Sequence, residues 1–113
     1  MKRFIALLSL ATTVLILAGC NSTTTPPGGG LTAAVTIADN SFSPTTLTVA
    51  AGTTVTWTNT GTSTHTVTSD TGTTLNSSNL THLATFPHVF ATAGTFTYHC
   101  SIHSAMQGTV IVN

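Results

Sequence analysis

Cys100, His103 and Met106 stand three residues apart in the run Tyr98-His99-Cys100-Ser101-Ile102-His103-Ser104-Ala105-Met106-Gln107-Gly108. This C-x-x-H-x-x-M spacing puts a thiolate, an imidazole and a thioether in one short loop. Soft and borderline donors of this kind favour copper over magnesium, calcium or manganese. One Cys, two His and a weak axial Met make a blue-copper site, and the loop supplies three of those four donors. The second imidazole has to come from elsewhere. His65, in Ser63-Thr64-His65-Thr66-Val67, is the candidate. The same thiolate and imidazole donors also bind zinc, so donor chemistry alone leaves both metals open.

Each of these residues also has a plainer reading. Cys100 is then a small buried hydrophobe, His103 a solvated loop residue, Met106 an apolar loop anchor and His65 a surface residue at a strand start. The joint spacing sets those readings aside for the three loop residues. His82, His88 and His99 have no motif around them and read as non-ligands. His99 precedes Cys100 in an extended register, so its ring faces away from the sulfur.

Three further blocks precede the loop in a fixed order: Ala38-Asp39-Asn40-Ser41-Phe42-Ser43-Pro44, then Val49-Ala50-Ala51-Gly52-Thr53-Thr54-Val55-Thr56-Trp57-Thr58-Asn59, then His65-Thr66-Val67. With Gln107-Gly108-Thr109-Val110 after the loop, the chain beyond residue 34 resembles the cupredoxins, the small blue-copper electron carriers. It is most similar to the amicyanin and plastocyanin-like branch, and the short gap between His103 and Met106 looks like amicyanin. The resemblance implies one type 1 copper ion held by His65, Cys100, His103 and Met106. It implies an N–H from Thr66 to the Cys100 sulfur, and a His103 ring edge at the surface, bordered by Ile102, Ser104 and Ala105, where electrons pass. It implies a carrier of single electrons that exchanges with redox proteins and catalyses nothing itself. The alternatives with the same ligands are copper storage or delivery, or a copper subunit of a larger redox enzyme. The chain departs from the family at Ser77-Ser78-Asn79-Leu80, where a Ser-Gly-x-Leu turn is usual, and it has no Gly before Phe86.

Strands must carry these residues. Thr53 to Asn59 alternates strictly, with Val55 and Trp57 on one face and Thr54, Thr56 and Thr58 on the other, which predicts a half-buried strand in an antiparallel sheet. Leu31 to Ile37, Thr46 to Val49, Phe86 to Phe90, Thr95 to Cys100 and Gly108 to Val112 alternate too. Phe96, Tyr98 and Cys100 share the inward side of their strand. His65 to Thr68 reads as a short strand, and Asp39 to Pro44 as an irregular turn with Phe42 plugging the core. Residues 69–85 show turn signals, with Leu75, Leu80 and Leu83 pinning the segment to the body. No stretch reads as a long amphipathic helix. The expected fold is all-β, a Greek-key sandwich or barrel of seven to eight strands over residues 31–113.

Composition fixes the address. Charged residues are 4% of the 113, and the abundant threonine stands in for them on exposed positions while favouring strands. Lys2 and Arg3 precede an apolar run from Phe4 to Leu17, which reads as a signal peptide over residues 1–19 and is shorter than a membrane span. Leu17-Ala18-Gly19-Cys20 resembles the bacterial lipobox, which implies cleavage before Cys20 and a lipid on its sulfur. Residues 20–30, rich in Pro and Gly, then form a flexible tether reaching about 17 Å. The expected location is outside the cytoplasm, on a bacterial membrane. The mature chain keeps only Asp39 and Asp70 as charged side chains, a formal charge of −2 with His neutral. With no Lys or Arg to neutralise phosphates, nucleic-acid binding is excluded. An acylated Cys20 leaves Cys100 alone in an oxidising compartment, where a metal gives a lone thiol its use. The expected form is a monomer.

Overall fold

The computed structural model describes residues 31–113. The expected signal peptide, Cys20 and the expected tether lie outside the described residues. Eight strands follow in chain order: β1 (Thr32–Ala38), β2 (Ser41–Ser43), β3 (Thr46–Val49), β4 (Thr53–Asn59), β5 (Thr68–Ser69), β6 (Thr85–Phe90), β7 (Gly94–His99) and β8 (Gln107–Val112). They form two four-stranded sheets, ordered β2-β1-β4-β6 and β3-β8-β7-β5. The sandwich is as expected. Among the described residues the sheets do not close into a barrel. No helix among them is long and apolar enough to cross a membrane.

The alternating residues meet between the sheets. Val35, Ile37, Val55, Trp57 and Phe90 from one sheet pack with Val49, Tyr98, Val110 and Val112 from the other. Tyr98 stands edge-on to Phe42 and Trp57, with ring centroids 4.8 and 5.5 Å apart, a preferred aromatic geometry. Tyr98 pairs across the β7–β8 ladder with Gly108. A Cβ at Gly108 would fall on the Tyr98 ring, so this register admits only glycine. The ladder therefore places the loop joining β7 to β8 at one end of the sandwich.

Three expectations need correcting. The sheets are mixed rather than antiparallel, since β1 runs parallel to β4 and β3 parallel to β8. These partners are far apart in sequence, and period-two alternation carries no information on direction. The irregular turn at Asp39 to Pro44 contains a strand, β2, though Phe42 is the buried plug expected. Leu83 does not pin the body. It is exposed, with φ +68°, while Leu75 and Leu80 are buried. The edge strands are β2, β6, β3 and β5; three are very short, and β6 carries the exposed Pro87.

Candidate metal centre

β7 delivers Cys100 inward at its end, as its alternation requires, and the sulfur is fully buried. The loop then closes on itself. Met106 N–H donates to the His103 carbonyl at 2.8 Å, and Cys100 N–H to the Met106 carbonyl at 3.0 Å. These bonds fix His103 and Met106 beside Cys100. Met106 is buried, while His103 is half-buried between the exposed Ile102 and Ser104.

His65 comes from the connection between β4 and β5, and it does not start a strand as its alternation suggests. Strand β5 spans only Thr68–Ser69, and His65 instead forms an isolated bridge with Leu80. Asn59, closing β4 and fully buried, holds this segment in place. Its Nδ2 donates to the carbonyls of Ser63 at 2.7 Å and Leu80 at 2.8 Å, and its Oδ1 accepts from Gly61 N–H at 2.9 Å. Ser77 adds a second staple, its hydroxyl accepting from Val67 N–H at 2.8 Å. Buried polar groups placed this way have their bonds made, so the segment is rigid without being a strand.

The structure thus brings His65, Cys100 and His103 together. Cys100 Sγ lies 3.7 Å from His65 Nδ1 and 3.8 Å from His103 Nδ1, and the two Nδ1 atoms are 3.2 Å apart. Donors about 2.0–2.3 Å from one ion at near-trigonal angles have separations of this size. Two imidazole nitrogens so close need a proton or a cation between them. With Met106 buried in the same loop, His65, Cys100, His103 and Met106 make a donor set that would suit a copper ion with a one-electron couple. His82, His88 and His99 stand outside the cluster.

Thr66 locks the two halves of the site together. Its N–H donates to Cys100 Sγ at 3.3 Å, within the range for sulfur acceptors, as the family resemblance implied. Its hydroxyl accepts from Ser101 N–H at 2.8 Å and lies 3.0 Å from Ser101 Oγ. The sequence reading missed Asn59, Ser77 and Ser101. Asn59 carried one signal, a turn-forming residue ending the clearest strand. The two carboxylates are both held ionised. Bonds from the Ser63 backbone lower the Asp39 pKa, and a 2.6 Å bond to His99 Nδ1 lowers that of Asp70.

The cupredoxin-like domain model matches residues 7–112. No curated protein sequence matches the chain significantly. Solved structures do. A purple cupredoxin from Nitrosopumilus maritimus is 32% identical over 72% of this chain and 99% of its own, with a TM-score of 0.69. A reduced and an oxidised amicyanin variant are each 31% identical over 71% of this chain and 80% of their own, both at a TM-score of 0.67.

Proposed function

This chain belongs to the cupredoxin-like family, and from that premise we propose that it carries single electrons on one type 1 copper ion held by His65, Cys100, His103 and Met106. The carrying observation is the meeting of one sulfur and two Nδ1 atoms at 3.2–3.8 Å, drawn from two distant parts of the chain. Bound copper supplies a one-electron couple, Cu(II)/Cu(I).

The protein's own contribution is a pocket that does not rearrange. The loop bonds at Met106 and Cys100 fix two ligands, the Asn59 and Leu80 bonds fix the third, and Thr66 ties the sets to each other. A cage fixed before transfer lowers the reorganisation that either charge state requires. Burial of Cys100 and His65 excludes water. His103 alone is partly exposed among the three, which favours electron exchange through its ring edge over ready release of the ion for delivery. The partners on this reading are redox proteins meeting the uncharged rim at Ile102, Ser104 and Ala105, with little electrostatic steering.

Adding Cu(II) to the metal-free protein is expected to give an intense visible thiolate-to-copper band that bleaches on reduction and returns on oxidation. A protein that stays colourless, or one that binds zinc and refuses copper, removes the electron-carrier reading.

The proposal extends to a lipid anchor at Cys20, supported by Leu17-Ala18-Gly19-Cys20 after an apolar run. The lipid-bearing chain is then a monomer held outside the cytoplasm on a bacterial membrane by the buried methylenes of its acyl chains. Mass spectrometry of the mature protein is expected to find Cys20 as an acylated N-terminus. An unmodified Cys20 rules out the anchor.

A further inference from the structure

His65 is fully buried, and its two ring nitrogens meet different surroundings. Nδ1 faces the sulfur and the other imidazole. Nε2 is buried with no hydrogen-bond partner. An imidazole that gives Nδ1 to a metal keeps its proton on Nε2, and in metal sites that N–H is ordinarily taken by a carboxylate, a carbonyl or water that fixes the ring. The group facing it here is the carboxylate of Asp39, with Oδ1 at 3.6 Å. That distance is an electrostatic contact rather than a formed hydrogen bond.

The carboxylate is held in that place. Ser63 N–H donates to Oδ1 at 2.9 Å, and the Thr62 hydroxyl donates to Oδ2 at 3.1 Å. Room for it depends on Gly61, where a Cβ would sit 2.8 Å from the carboxylate carbon. No Lys or Arg occurs among the described residues, so no cationic side chain neutralises this charge. Three features therefore converge on one point: an unpartnered ligand N–H, an unneutralised anion, and a glycine that makes way for it.

The geometry points to Asp39 as a positioning residue of the copper centre. Facing the Nε2–H of His65 across 3.6 Å, its carboxylate favours the tautomer that leaves Nδ1 free for the metal and places negative charge behind the ligand. That charge favours the more positive oxidation state, so Asp39 lowers the reduction potential and strengthens Cu(II) binding. This inference rests on the copper reading above.

Asp39→Asn keeps an oxygen acceptor and loses the charge, whereas Asp39→Ala loses both. Three quantities are read on the copper-loaded full chain: Cu(II) affinity, midpoint potential, and the His65 Nε2 proton resonance of the reduced form. In wild type that proton is expected to exchange slowly. Asp39→Ala is expected to lose the slow exchange and ten- to a hundredfold in Cu(II) affinity, the usual range for such partners. Asp39→Asn is expected to keep the slow proton. Both variants raise the potential, and each tenfold change in Cu(II) over Cu(I) preference is about 59 mV. Asp70→Asn removes an equal charge from a carboxylate paired with His99 rather than His65, and it is expected to move the potential less. Unchanged affinity and potential in both Asp39 variants overturn the inference, as does an Asp70→Asn shift equal to that of Asp39→Asn. Should Asp39→Ala fail to fold, Asp39→Asn decides alone by its potential. A wild type that takes up no copper overturns the copper reading itself, whereas a blue wild type with indistinguishable variants overturns only the role of Asp39.

Discussion

Replacing Cys100 with serine abolishes the visible thiolate-to-copper band and lowers Cu(II) affinity by more than about a hundredfold, beyond the range for residues that merely orient a ligand. Serine is close to isosteric, and its oxygen can accept the Thr66 N–H that the sulfur now accepts at 3.3 Å. The change therefore removes a donor without opening a cavity. Far-ultraviolet circular dichroism should match wild type while the colour is gone. A Cys100→Ser protein that keeps a full-intensity band would show that the sulfur is not a ligand. The contrast with Asp39 is one of kind: losing Cys100 removes a bond to the metal, and losing Asp39 retunes a bond that survives.

Trp57→Ala has the largest expected effect on folding, a loss of about 3–5 kcal/mol. Trp57 is fully buried at the centre of β4. Its ring lies 5.5 Å from Tyr98, 5.8 Å from Phe86 and 6.3 Å from Phe90, so it joins both sheets through aromatic neighbours. Alanine leaves a void that none of those rings can fill while held in its strand register. A domain of this size has roughly 5–15 kcal/mol of stability in all. The metal-free variant should therefore have a much lower urea midpoint, and bound copper should restore part of the loss by mass action. Trp57→Phe should cost less. A Trp57→Ala loss below about 1 kcal/mol would mean that the cluster is loosely packed.

The strands that deliver Cys100 were legible because each obeys period two with one apolar face. Val55 and Trp57 in β4, Phe96 and Tyr98 in β7, and Val110 and Val112 in β8 all point where their spacing says. The region from His65 to Ala84 was legible only in part. Its shape comes from side chains bonding backbone, as Asn59 and Ser77 do, and from Leu75 and Leu80 packing inward while Leu83 does not. Such bonds leave no periodic trace. The parallel pairings were illegible for a different reason: Val35 meets Trp57, and Leu47 meets Val110, only through the folded chain. Of the clustered donors, Cys100 and His103 were legible by type and spacing, and His65 only through the family resemblance and the need for a second imidazole. Asp39 was not, because its role depends on a turn that brings it to a residue far along the sequence.

The sheet borders have a consequence for how many copies of this protein can share a small space. An open strand invites another strand to pair with it, and many proteins guard such borders with lysine. The described residues contain no lysine. Three of the four borders are instead only two to four residues long, and the fourth, β6, breaks its row of donors at Pro87. Brevity and an imino acid thus do the guarding that charge does elsewhere. A population crowded on one surface can then keep its sandwiches separate, even with almost no electrostatic repulsion between them.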